Sequence, residues 1–111
     1  MSNVFAKIIA GELPAEKIFE NDNIIAIKDI NPVAPVHLLI MPKKAINSIQ
    51  EITTEDMGLI SEIIQTAQQL AKYFGCEDNY RLLTNNGKKA GQTIFHLHFH
   101  LIGGKWLGPM A

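Results

Sequence analysis

The chain has 111 residues, 47% hydrophobic and 19% charged, which suits one compact domain spanning residues 1–111 and is too apolar for a disordered chain. Ten basic residues stand against eleven acidic ones for a formal net charge of −1, so the electrostatic footprint of a DNA or RNA duplex binder is missing. A single cysteine, Cys76, excludes an internal disulfide and a thiolate zinc cluster, and no apolar run reaches the roughly 20 residues that cross a bilayer.

The expected protein is therefore soluble and cytoplasmic, with no membrane partner. A domain of this size buries only about two-thirds of its unfolded surface, which makes dimerisation a natural source of stability.

Val4, Phe5, Ile8 and Ile9 are spaced for one face of a short helix, closed by Gly11 and Pro14. Lys17–Glu20 reads as a short strand, Asn21-Asp22-Asn23 as a turn, and Ile24–Ile30 as the returning strand of a hairpin. Asn31-Pro32-Val33-Ala34-Pro35 must be a loop, since neither proline can donate to a ladder. A third strand, His37–Met41, stops at Pro42.

The strongest helix runs from Thr54 to Phe74, with Thr53 as its N-cap, Glu55 and Asp56 at its positive end, and Gly75 at its exit. Met57, Ile60, Ile63, Ile64, Ala67, Leu70, Ala71 and Phe74 form an apolar stripe suited to lying on a sheet. Tyr80–Thr84 and Phe95–Ile102 supply two more strands, joined by the loop Asn85–Thr93. The predicted fold is α+β: a five-stranded antiparallel sheet, one long helix and one or two short ones.

Three of the four histidines fall at His96, His98 and His100. Alternate side chains of a strand share a face, so these imidazoles line up roughly 6.5–7 Å apart. Phe95, Leu97, Phe99 and Leu101 occupy the other face, where the long helix would pack. Imidazole is suited to nucleophilic and acid–base work near neutral pH, and a neutral ring nitrogen can attack phosphorus while the other is held by a hydrogen bond.

A lone strand histidine is usually structural; strict alternation over an unbroken apolar counter-face is not explained that way. A metal site is the sharper rival. The outer pair spans roughly 13 Å, too far for all three to bind one ion, and the strand offers no cysteine or carboxylate, although His37 or a distant Asp remains open as a ligand. No metal or other cofactor is expected. The preceding loop, Asn85-Asn86-Gly87-Lys88-Lys89-Ala90-Gly91-Gln92-Thr93, offers close backbone approach at glycine, neutral donors at Asn, Gln and Thr, and two lysines, the equipment of a phosphate cradle.

His96-Leu97-His98-Phe99-His100-Leu101-Ile102 resembles the signature of the histidine triad family. Gly91-Gln92-Thr93, Gly103-Gly104, Phe5-Ala6-Lys7-Ile8-Ile9, Asp29-Ile30-Asn31-Pro32 and Pro35–Lys43 resemble its nucleotide-binding branch, so the likeness covers nearly all of the chain up to Gly104.

The resemblance implies hydrolysis of a purine nucleoside phosphoramidate or acyl-adenylate through a nucleotidyl–histidine, releasing a nucleoside monophosphate such as AMP. It makes His98 the nucleophile, has His100 contact the phosphate oxygens, and has His96 and His37 orient His98. Asn85, Thr93 and the Gly91 backbone, with Gln92 beside them, would cradle the phosphate. Asp29 would accept from both ribose hydroxyls, and Phe5, Ile8, Ile27 and Leu39 would line the base pocket; without the resemblance these four read more readily as plain core.

It further implies a symmetric homodimer joined through sheet edges and the long helix. Dinucleoside polyphosphate hydrolysis and nucleotide sensing with incidental turnover are the alternatives. The tail Lys105–Ala111 departs from the family's longer Trp-Pro tail, with Trp106 displaced.

Overall fold

A computed structural model describes residues 3–111. Helix α1 (Val4–Ile9) is capped by Asn3, whose Oδ1 accepts from the Ala6 amide at 2.8 Å. Strands β1 (Lys17–Glu20), β2 (Ile24–Lys28) and β3 (Val36–Pro42) follow, then helix α2 (Met57–Tyr73), β4 (Tyr80–Leu83) and β5 (Phe99–Gly103). The five strands form one sheet in the order β1-β2-β3-β5-β4, every neighbouring pair antiparallel. This is the expected α+β architecture. Among the described residues, no helix is long and apolar enough to cross a membrane.

The central strand β3 is buried along its whole length because both faces of the sheet are covered. On one face, α2 lays Ile63, Ala67, Leu70 and Ala71 against Ile24, Leu38, Ile40, Leu97, Phe99 and Leu101. On the other, α1 closes a smaller cluster of Phe5, Ile8, Ile25, Ile27, Leu39 and Met41. Two apolar faces on one sheet leave its polar residues at the ends of strands, which is where the chemistry collects.

Several boundaries differ from those read in the sequence. Strand β2 ends at Lys28 rather than Ile30, because the Asp29 Oδ1 accepts the Asn31 amide at 2.8 Å and turns the chain. The first turn of the long helix, Thr54–Asp56, is a 3-10 turn, and the buried Asp56 carboxylate accepts from the Thr53 amide and hydroxyl and from Lys44. Met57 and Ile64 do not join the stripe facing the sheet; they are 55% and 38% exposed.

The largest difference is in the last strand. Residues 95–98 lie outside the ladder, since β3 ends at Pro42, which has no N–H to offer. Substitute bonds hold this segment: the Leu97 amide donates to the Ile46 carbonyl at 2.6 Å, and the Thr84 hydroxyl to the His98 carbonyl at 2.7 Å. The alternation of faces survives from Leu97 onward, but Phe95 turns outward, 48% exposed.

Candidate functional site

The three triad histidines reach one face at different depths. His96 is buried, 2% exposed, while His98 and His100 are half-buried. Phe5 of α1 stands edge-on to both His96 and His98, with ring centroids 6.4 and 4.8 Å away. The His98 and His100 centroids are 5.2 Å apart, tighter than the strand repeat alone requires.

Fixed hydrogen-bond partners determine which ring nitrogen carries each proton. A carbonyl oxygen can only accept. The His96 Nε2 lies 2.8 Å from the Pro42 carbonyl and therefore donates, which ties the buried ring to the end of β3. The His98 Nδ1 lies 2.7 Å from the His96 carbonyl and also donates. In neutral His98 the lone pair is thus left on Nε2.

His100 has the opposite arrangement. The Val33 amide donates to His37 Nδ1 at 3.1 Å, so the proton of the neutral His37 ring sits on Nε2. That Nε2 is 2.9 Å from His100 Nδ1 and donates to it. Neutral His100 accordingly keeps its proton on Nε2. Side by side, His98 presents a bare nitrogen and His100 an N–H donor.

Burial keeps both rings in these neutral forms. Desolvation is the main cause lowering the pKa of His96 and of His98, and it takes His100, with help from neighbouring His98 and His37, down to about 4. His37 was expected to orient His98; it touches His100 instead, with ring centroids 5.2 Å apart. The orienting acceptor for His98 is the backbone carbonyl of His96, not its imidazole.

Asp29 comes from the turn after β2, and its Oδ2 lies 3.3 Å from His37 Nε2. Asp29, His37 and His100 hold their donor atoms within 4.8 Å of one another, close enough to suggest a metal centre. The Val33 amide argues otherwise. It occupies the His37 Nδ1 lone pair and puts the proton on Nε2, where a metal would need a lone pair. The trio is built for hydrogen bonding.

The loop before the triad is shaped by two glycines at positive φ, Gly87 at 91° and Gly91 at 102°, flanking the turn Lys88–Ala90. Asn85 packs against Gly91, its Nδ2 3.6 Å from where a Cβ would stand, and Thr93 is exposed. Gln92 is misread by the sequence as a ligand contact. It is 2% exposed, its Oε1 accepts from the Gly87 amide at 2.8 Å, and its Nε2 donates to the carbonyls of Asn47 at 2.7 Å and Ile94 at 3.1 Å. With its amide engaged at both ends and shielded from solvent, it organises the loop.

The residues expected to line a base pocket share the histidines' face of the sheet. Phe5, Ile8, Ile27 and Leu39 are only 3–6% exposed and pack on one another under α1. Beside Asp29, the apolar side chains of Ile30 and Val33 are 91% and 59% exposed. The backbone groups of Val33, Pro42 and His96 are the site members that the sequence could not reveal, because every non-proline residue carries the same amide and every residue the same carbonyl.

A separate open concavity of about 740 Å³, lined by Cys76, Asp78, Arg81, Lys105 and Trp106 among others, lies at the far end of β4 and β5. Burial raises the pKa of its one thiol, Cys76, away from the reactive thiolate, and the pairing of a bare ring nitrogen with an N–H donor is found at the histidines.

The model of the HIT domain matches residues 10–106. A HIT-like protein of Chlamydia pneumoniae is 53% identical over 97% of this chain and 98% of its own length. A purine nucleoside phosphoramidase of Escherichia coli is 38% identical over 96% of this chain and 91% of its own. Among solved structures, a HIT family hydrolase from Legionella pneumophila superposes with a TM-score of 0.94 at 42% identity, covering 96% of both chains.

Proposed function

The chain belongs to the HIT domain family, and from that premise we propose that it hydrolyses a purine nucleoside phosphoramidate or acyl-adenylate through a nucleotidyl–His98 intermediate. The observation that carries this reading is the pairing of opposite tautomers, a bare His98 Nε2 beside a His100 Nε2–H. One can attack phosphorus while the other donates to a phosphoryl oxygen. The Escherichia coli relative's phosphoramidase name and the Legionella neighbour's hydrolase name favour the same chemistry.

In the first step the His98 Nε2 lone pair forms a bond to the α-phosphorus, and the P–N bond breaks. The amine departs with the bonding pair and takes one proton from solvent; an acyl-adenylate loses its carboxylate with no proton needed. His98 then carries phosphorus on Nε2 and hydrogen on Nδ1, a cation facing the His96 carbonyl 2.7 Å away. Water adds to phosphorus as the bond to His98 Nε2 breaks and its electron pair returns to that nitrogen; the water's proton goes to solvent, and the nucleoside monophosphate leaves with His98 again neutral. Asn85 and Thr93 complete the phosphate cradle; the Gly91 amide, expected to join them, already donates to the Lys88 carbonyl at 3.1 Å. Asp29 accepts from the ribose hydroxyls, and Phe5, Ile8, Ile27 and Leu39 form the apolar wall under the base.

His98→Asn is the test: turnover of adenosine phosphoramidate should fall roughly 10⁴-fold or more while AMP still binds. Undiminished turnover would remove His98 from the role. Competition with diadenosine polyphosphates distinguishes the phosphoramidase from a polyphosphate hydrolase.

We further propose that two copies associate through β4 and α2. Edge strand β4 has its outer backbone groups unpaired within the sheet, and Met57 and Ile64 on α2 are exposed. A monomer in sedimentation at working concentration would refute the dimer.

A further inference from the structure

We propose that the backbone N–H of Val33 is a positioning group for the reaction, fixing through His37 which nitrogen of His100 carries a proton. The proposal rests on the reading of His98 and His100 as the reacting pair, and it adds a residue that the triad signature does not contain.

The argument follows one line of hydrogen bonds. The loop between β2 and β3 directs the Val33 amide at His37 Nδ1, 3.1 Å away. A backbone amide can only donate, so the proton of neutral His37 goes to Nε2. His37 Nε2 then donates across 2.9 Å to His100 Nδ1, which places the His100 proton on Nε2. His37 is 7% exposed, so water has little access with which to substitute for the loop amide.

If the Val33 donor is removed, the other assignment becomes accessible. His37 can carry its proton on Nδ1 and accept at Nε2 from His100 Nδ1–H. His100 then turns a bare nitrogen outward, beside the bare Nε2 of His98. Two lone pairs would face the phosphate and no imidazole donor would meet its oxygens. The preference therefore originates at a loop position whose own side chain is 59% exposed and takes no part. The Asp29 Oδ2, 3.3 Å from His37 Nε2, acts in the same direction as the Val33 amide, so the two contributions must be separated.

Nitrogen-15 NMR of the full chain makes that separation. In the wild type, a through-hydrogen-bond coupling from the Val33 amide to His37 Nδ1 is expected, with unprotonated-type shifts at the Nδ1 of both His37 and His100. Val33→Pro, which deletes only the amide hydrogen among the hydrogen-bonding groups, should mix the His37 and His100 tautomers. Adding Asp29→Asn should mix them further, whereas Val33→Ala should keep the wild-type pattern. Turnover in Val33→Pro should drop with the population of the wild-type tautomer, by about twofold where the two tautomers become equal.

A protonated His100 Nδ1 or an uncoupled Val33 amide in the wild type would overturn the proposal, even if Val33→Pro fails to fold. So would a folded Val33→Pro protein with the wild-type shifts. The shift pattern is independent of any substrate: if it holds while His98→Asn retains full turnover, the reaction assignment fails and the positioning of His100 stands.

Discussion

The His98 Nδ1 lies 2.7 Å from the carbonyl of His96, two residues earlier in the chain. This bond is available because residues 95–98 leave the ladder, so the His96 carbonyl is free for an imidazole. The same departure lets the His96 ring reach the Pro42 carbonyl at 2.8 Å. A lapse in sheet pairing thus orients the proposed nucleophile.

The pH dependence of turnover follows from burial. Charging His98 inside the protein is disfavoured mainly by desolvation; the His96 charge adds to this, while the His96 carbonyl and Asp29 oppose it, for a net lowering from 6.5. The reactive neutral ring therefore persists to lower pH than a free imidazole would. We expect the acid limb of kcat/KM, where His98 gains a proton, to be centred below pH 6.5. An acid limb centred at or above pH 6.5 would contradict this account.

Gln92→Ala separates loop organisation from ligand contact. Its three hydrogen bonds tie Gly87, Asn47 and Ile94 together inside the protein. Their loss should cost about 1–3 kcal/mol of stability in denaturant unfolding and weaken nucleotide binding only by loosening the loop. Unchanged stability combined with lost affinity would restore Gln92 to the ligand.

Gly103 is held to glycine by close packing. A Cβ there would stand 3.0 Å from the Cys76 Sγ, 3.2 Å from its Cβ and 3.3 Å from the Asn79 carbonyl oxygen. Gly103→Ala should destabilise by about 1–3 kcal/mol. Combining it with Cys76→Ala should cost less than the two single changes together, because the sulfur is the nearest obstacle. Strict additivity in unfolding measurements would show that the strain is relieved elsewhere.

The sheet and helix were legible because their periodicities are carried by large apolar side chains. Ile63, Ala67, Leu70 and Ala71 repeat at helical spacing and bury as expected, and the His/apolar alternation from Leu97 to Leu101 assigns the two faces correctly. Met57 and Ile64 misled because an apolar side chain in a helix does not specify what will cover it. Phe95 misled because alternation continues in sequence after ladder bonding has stopped.

The site was legible only at its side chains. His98, His100, His37 and Asp29 could each be named from sequence. The pairing of His37 with His100 rather than His98 could not, since it depends on the register that sets Leu39 opposite His100 and His37 opposite Ile102. Gln92 looked like a donor awaiting a phosphate until its partners at Gly87, Asn47 and Ile94 were seen. The decisive donors and acceptors at Val33, Pro42 and His96 are backbone groups, on which residue identity is silent.

The most direct measurement is mass spectrometry of the protein quenched during turnover of a slow adenosine phosphoramidate. The expected result is a single adenylyl group on the peptide carrying the triad, localised by fragmentation to His98 and absent from His98→Asn. An adenylyl group on His96, on His100 or outside that peptide would contradict the assignment of His98 as nucleophile.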